Sequence, residues 1–194
     1  MAITAQSVAQ LREMTGAGMM DAKKALEATN GDLNAAVEFL KKNGQAKAEK
    51  KGDRATKEGR VYSYIHSSGK IGALVEIFCE TDFVAKNDGF TELLKDVAMH
   101  VAAADPLYVR RDQVPPEVVE KQRAMFKEEV QGKPADIVEK IVDGKMNKYF
   151  SEVCLMEQPF VKDDEKTVEQ LLKEKIATIG ENMQVGRIAR FLIG

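Results

Sequence analysis

Between residues 71 and 104 the chain changes its hydrophobic period once, and that change restricts the fold more than any other feature. Ile71, Ala73, Val75, Ile77 and Cys79 fall on one face of an extended segment, with Leu74, Glu76 and Phe78 on the other. This period of two predicts a strand with one buried face. From Asp88 to Ala104 the spacing becomes helical, with Phe90, Leu93, Leu94, Val97, Ala98 and Val101 on a single stripe and Pro106 beyond its end. A second strand is predicted over Arg60 to His66, joined to the first through a hairpin turn at Ser67-Ser68-Gly69-Lys70. The predicted class is α+β.

The remaining patterns extend that core in both directions. Residues 1–43 read as three short helices: one capped by Thr4 with Val8 and Leu11 on a common face, one from about Met19 to Thr29, and one capped by Asp32. In the third, Leu33, Ala36, Val37 and Leu40 keep the i, i+3, i+4, i+7 spacing. Glycine breaks at Gly16, Gly18 and Gly31 separate them, which predicts a small bundle of the ubiquitin-associated type. A DNA-binding helix-turn-helix would need a basic face, and here Arg12, Lys23, Lys24, Lys41 and Lys42 are balanced by Glu13, Asp21, Glu27, Asp32 and Glu38. Residues 44–59 form a basic linker. Over 45–60, Lys47, Lys50, Lys51, Arg54, Lys57 and Arg60 face only Glu49, Asp53 and Glu58, which suits either a solvated, in part helical, connection or a steering patch for an acidic partner.

The α+β core domain spans 60–194, with a helical hairpin inserted at 115–150. The hairpin's helices run to about Val130 and from about Ala135, around a turn at Gln131-Gly132-Lys133-Pro134. Its thin stripe of Val119, Phe126, Val130, Ile137 and Ile141 suits two helices packing mainly on each other. A strand over Glu152 to Val161, a helix over Thr167 to Ile179 and a last strand over Gln184 to Ile193 complete the prediction.

Several functions are disfavoured by what the chain lacks. Its 194 residues carry a net charge of −2, which argues against nucleic acid as the main ligand. There is no apolar run of 18 residues, and Met1 to Gln6 carry no secretory signal, so a cytoplasmic protein without membrane attachment is expected. Cys79 and Cys154, both in strand-like segments, read as buried reduced thiols, with a disulfide between them left open. No P-loop, C-x-x-C, H-E-x-x-H or G-x-S-x-G motif is present. His66 and His100 have no metal-ligand spacing, and Asp163-Asp164 read as a solvated pair in a polar loop. No cofactor, metal site, direct nucleotide binding or enzymatic activity is expected.

What remains is Glu76-Ile77-Phe78-Cys79-Glu80-Thr81-Asp82-Phe83-Val84-Ala85-Lys86. Phe83 follows the end of the strand, where an aromatic either folds back into the core or is offered to a partner. Met19 and Met20 beside a glycine break carry the same pair of readings.

Glu76 to Lys86 resembles the second signature of elongation factor Ts, and Leu11-Arg12-Glu13-Met14-Thr15-Gly16-Ala17-Gly18-Met19-Met20-Asp21-Ala22-Lys23-Lys24-Ala25-Leu26 resembles that family's N-terminal signature. Ala98 to Ala103, Gln158 to Val161 and Thr167 to Lys173 are also similar, and Phe78 departs from the smaller or polar residue more usual there. The resemblance implies a guanine nucleotide exchange factor that promotes GDP and Mg²⁺ release from elongation factor Tu. It implies Thr81, Asp82, Phe83 and Val84 as the intrusive loop, with Phe83 as the wedge, and Arg12, Met19 and Met20 as a second contact. His66 with Ile71 and Gly72, and the segment Ile179-Gly180-Glu181-Asn182, match segments that contact the body of Tu in longer members. One core unit is present here instead of two, so a homodimer pairing through Gln184 to Ile193 is expected. The alternatives are a ribosome- or RNA-associated module using the linker and hairpin, and an adaptor built on residues 1–43 alone.

Overall fold

The computed structural model describes residues 3–130 and 134–194. The turn expected at Gln131-Gly132-Lys133-Pro134 falls on residues 131–133, outside the described residues. Two compact units share the chain: one holds residues 1–60, 77–93 and 170–184, the other 61–76, 94–169 and 185–194.

In the first unit, α1 (Ala5–Thr15) starts at Thr4, whose hydroxyl accepts the Ser7 N–H at 3.1 Å while Ser7 Oγ accepts the Thr4 N–H at 3.2 Å. This reciprocal cap satisfies two of the donors that every helix start leaves unpaired. α2 (Met19–Ala28) and α3 (Leu33–Glu49) follow, the latter capped by Asp32 Oδ1 on the Ala35 N–H at 3.0 Å. Leu11, Ala22, Ala25, Leu26 and Ala36 are fully buried between them, with Val8, Leu33, Val37 and Leu40 packed around this centre. Three alanines in the contact let the short helices approach closely.

The third helix does not stop near residue 43. It continues through Gly44 to Glu49 and takes up the first part of the segment expected as a linker. Packing outweighs the helix penalty of roughly 1 kcal/mol for glycine. A Cβ on Gly44 would lie 3.1 Å from the Ala177 Cβ, and Ala48 is buried. Ala177 belongs to α8 (Val168–Ile179), which buries Leu171, Leu172 and Ile176.

The main sheet has the order β1-β2-β5, with β1 over Glu58–Ile65, β2 over Ile71–Cys79 and β5 over Met183–Leu192. β2 is central, and its predicted alternation is realised: Ala73, Val75, Ile77 and Cys79 are buried. The β1–β2 turn closes with the His66 N–H on Ile71 O and the Gly69 N–H on His66 O, both at 2.8 Å. β2 runs into α4 (Asp82–Ala85) and then α5 (Asp88–Ala104), whose stripe is buried as expected. Phe83 therefore stands on a single helical turn and not in a loop.

In the second unit, α6 (Pro116–Glu129) and α7 (Ala135–Val153) make the helical pair. Val142 and Met146 are buried with Val130, and Val119, Phe126, Val138 and Ile141 pack on them. Ile137, expected on this stripe, is exposed, and its neighbour Val138 takes the inward place. Arg123 bridges Glu139 and Asp143, both at 2.7 Å, and Lys127 meets Glu139 at 2.7 Å. Exposed pairs of this kind set register more than they add stability.

The strand expected over Glu152 to Val161 is absent. α7 runs on to Val153, a 3₁₀ turn occupies Leu155–Glu157, and only Pro159–Phe160 is extended, as β3. A crossing segment satisfies this backbone instead of a ladder. Tyr108 O accepts the Leu155 N–H at 2.8 Å, Val109 O accepts the Met156 N–H at 3.1 Å, and Val153 O accepts the Leu107 N–H at 2.9 Å. Cys154 thus lies in an isolated bridge to Tyr108 and not in a strand. Asp163-Asp164 open β4 (Asp163–Thr167), antiparallel to β3, where a loop was expected. Both cysteines are free and buried, and burial pushes each thiol up to about 11. Such thiols are almost wholly protonated at neutral pH and poor nucleophiles.

His100, on α5, is fully buried. Its Nδ1 accepts the Val161 N–H at 3.2 Å, so Nε2 carries the proton and donates to Gln158 Oε1 at 2.9 Å. Gln158 Nε2 donates to Glu152 O at 2.7 Å, which fixes that amide's orientation. Burial lowers the His100 pKa below the ordinary imidazole value, and the bond to Gln158 only partly offsets it. A depressed folded value means that the stabilisation is complete above about pH 6.5, the unfolded value, and is lost as pH falls through the folded one. Thermal unfolding midpoints of the wild type should therefore drop between pH 7 and pH 5 by more than those of His100→Gln. Parallel pH profiles would remove the buried imidazole as the cause.

Candidate functional site

The α1–α2 connection presents the first group of expected contact residues. Gly16 ends α1 in the left-handed region at φ +66°, and its N–H donates to Arg12 O at 2.8 Å. A side chain is strained in that conformation, which glycine adopts freely. Arg12 Nε then reaches across the turn to Ala17 O at 3.2 Å. The turn leaves Met19 62% and Met20 63% exposed, so neither belongs to the bundle core. The position a Gly16 Cβ would take is 3.5 Å from Thr178 Cγ2 on α8, next to Ile179 and Gly180.

The second group stands on α4. Phe83 is 82% exposed, and the core reading of this residue is set aside. Beside it, Lys86 Nζ donates to Asp82 Oδ2 at 2.8 Å. This bond holds the Asp82 carboxyl below the usual carboxylate range and raises the Lys86 ammonium. Val84 is half-buried and Ala85 buried, so the turn is seated on one side and open on the other.

A network that local sequence patterns do not reveal holds α4 in place. The Thr81 hydroxyl accepts the Val84 N–H at 3.4 Å as an N-cap and donates to Glu181 Oε1 at 2.7 Å. The Thr81 N–H donates to Glu181 Oε2 at 3.0 Å. In return, Glu80 Oε1 accepts the Asn182 N–H at 2.6 Å. Each turn lends a carboxylate to a backbone N–H of the other. Asn182 is itself buried, and its amide donates to Gly52 O at 3.1 Å and Arg54 O at 2.8 Å. Lys51 donates to Gly180 O, and Arg54 meets Glu80 at 3.5 Å. The structure therefore joins Thr81–Val84 to the turn after Ile179.

Contacts within the same unit engage part of the linker's basic residues. Lys47 pairs with Asp21 at 2.7 Å, Lys51 and Arg54 enter the network, and Arg60 donates to Thr91 Oγ1 at 3.1 Å. Lys47 and Arg54 meet carboxylates, while Lys51 and Arg60 bond neutral oxygens and keep their charge.

The third group lies in the other unit, at the β1–β2 hairpin. His66 is exposed, and its Nδ1 is 3.3 Å from Tyr64 Oη. Ile71 and Gly72 are half-buried, and a Cβ on Gly72 would press Ile65 Cδ1 at 2.9 Å. Among the described residues, no group of three or more His, Cys, Asp or Glu side chains could hold a metal ion, and no helix is long and apolar enough to cross a membrane.

The structure is an α+β protein with a helical N-terminal bundle, and it carries exposed methionines and an exposed phenylalanine on hydrogen-bonded turns. The chain belongs to the elongation factor Ts family. The family's sequence model, described as "Elongation factor TS", matches residues 3–178. The chain is 57% identical to the elongation factor Ts of Geobacter sulfurreducens, over 100% of this chain and 91% of that protein. It is 55% identical to that of Oleidesulfovibrio alaskensis and 51% identical to that of Thermodesulfovibrio yellowstonii, in both cases over 100% of this chain and 98% of the relative.

Proposed function

We propose that the chain is a guanine nucleotide exchange factor for elongation factor Tu, acting in the cytoplasm during translation elongation. The observation that carries this reading is the exposure of Phe83 on a turn whose backbone is tied down on both sides. Burying such a ring gains roughly 1.5–3 kcal/mol, a gain left for a partner to supply. Phe83 enters between helices of the Tu nucleotide domain and displaces the elements that hold Mg²⁺. Loss of the metal removes charge neutralisation from the diphosphate, and GDP leaves. Asp82 orients the turn against the partner. Arg12, Met19 and Met20 give a second contact, where the flexible thioethers adapt to the partner surface. His66, Ile71 and Gly72, and Ile179 with Gly180, meet the body of Tu. In this reading the N-terminal helices, up to Glu49, dock, the rest of the segment to residue 59 connects, and 60–194 carry the wedge with the hairpin 115–150 as an insertion.

The energetics require only differential affinity. A factor that binds nucleotide-free Tu better than Tu·GDP weakens GDP by the same ratio, and each tenfold needs about 1.4 kcal/mol. The chain itself makes and breaks no covalent bond and binds no nucleotide. The test is the release of a fluorescent GDP from elongation factor Tu, chased with unlabelled GDP. The expected result is acceleration that saturates with chain concentration. A release rate equal to the spontaneous one at every concentration would discard the exchange-factor function.

A further inference from the structure

The role of Phe83 depends on where the ring points, and α4 cannot set that by itself. A helix of four residues lies far below the roughly 12–15 at which isolated helices hold together in water. Its own backbone supplies the Ala85 N–H on Thr81 O and the Lys86 N–H on Asp82 O, both at 3.2 Å. The direction of the turn must come from outside it.

We infer that Glu181 is a positioning residue, whose carboxylate grips Thr81 and so fixes the direction in which Phe83 is presented. Three features carry this. Both Glu181 oxygens are used, on the N–H and the hydroxyl of the one residue that caps α4. The two residues are 100 positions apart, so the contact is tertiary and not a by-product of local turn geometry. The carboxylate has little freedom, because the next residue is locked by Glu80 at its N–H and by Gly52 O and Arg54 O at its side chain. Glu181 acts through Thr81 and need not touch the partner. The inference rests on the proposed exchange function for its kinetic consequence but not for its structural one.

A loosened turn samples the productive direction only part of the time. Apparent affinity falls by that fraction, while the complex, once formed, has the wedge in place. Glu181→Ala should therefore raise the half-saturating concentration for stimulated GDP release about tenfold and leave the plateau rate unchanged, as expected for loss of hydrogen bonds to a charged acceptor. Thr81→Val, which removes the hydroxyl half of the grip, should shift it in the same direction by less. In a Phe83→Ala background, Glu181→Ala should add much less, because the wedge is gone and Asp82 alone remains on the turn to be aimed. A variant that merely unfolds more easily would lower activity equally in both backgrounds.

The structural arm is amide hydrogen exchange of the folded full-length chain. The amides of Val84 to Lys86 should exchange about tenfold faster in Glu181→Ala, with the core of α5 unchanged. Unchanged protection at α4, or an equal loss of rate with and without Phe83, would overturn the positioning role. Failure of the wild type to accelerate GDP release while α4 loosens in Glu181→Ala would instead overturn the exchange function and leave the brace standing.

Discussion

Phe83→Ala is expected to slow stimulated GDP release from elongation factor Tu by roughly ten- to a hundredfold at a fixed, subsaturating chain concentration. The magnitude follows from the ring alone. Transfer of a phenylalanine side chain from water to a packed interior is worth roughly 1.5–3 kcal/mol, and each 1.4 kcal/mol is a factor of ten. In the free chain the ring is 82% exposed and contributes little to folding. The thermal midpoint of Phe83→Ala should accordingly stay within about 2 °C of the wild type, as for surface substitutions worth less than about 0.5 kcal/mol. That separation of activity from stability is the informative part of the experiment. A variant as active as the wild type would move the differential contact elsewhere, with Met19 and Met20 next in line. A variant that is both slow and unstable would show Phe83 to be a structural residue in solution.

The largest stability effect is expected from a residue with no side chain. Gly59, in β1, has φ +154°, and a Cβ built there would lie 2.3 Å from the carbonyl oxygen of Ile77 and 2.8 Å from the Phe78 Cα. Both are backbone atoms of the central strand, so no rotamer change relieves the clash. Gly59→Ala must push β1 off β2 at the end that leads into Thr81 and α4. Local backbone strain costs roughly 1–3 kcal/mol, and overpacking adds roughly 1–3 kcal/mol more. For a chain of this length, a total of roughly 2–6 kcal/mol lowers the unfolding midpoint by roughly 5–20 °C. Thermal unfolding followed by far-ultraviolet circular dichroism reads this directly. A shift below about 2 °C would mean that the strands separate freely at this end.

What the amino-acid sequence disclosed depended on whether the cause was local. The alternation of Ala73, Val75, Ile77 and Cys79 and the stripe from Phe90 to Val101 each follow from burial on one face, and the structure realises both. Caps at Thr4 and Asp32 were legible because the donors lie three residues away. The stretch from Val153 to Met156 was misread because a short apolar run has no period to distinguish a helix end from a strand. Its backbone partners, Leu107 to Val109, lie more than forty residues away. The third helix was expected to end near residue 43 because the reason to continue lies on α8, at Ala177. Phe83 and the methionines could be identified as candidates, but their exposure is a tertiary fact, and two readings stayed open until burial was known. Glu181 lies in a segment that the resemblance picks out, but its grip on Thr81 has no local sign, since that partner is 100 residues back.

The continuation of α3 into the supposed linker changes the thermodynamics of encounter. A flexible tether would let the N-terminal helices search for their target independently, and each docking event would then lose orientational freedom of its own. Here the helix carrying Ala48 and Glu49 packs on α8 through Gly44 and Ala177 and reaches Lys173 at 3.8 Å. That loss is therefore taken during folding, once, before any partner arrives. The methionine turn and the α4 turn belong to this one compact unit, so in the proposed complex engagement of one would leave less disorder to be removed from the other.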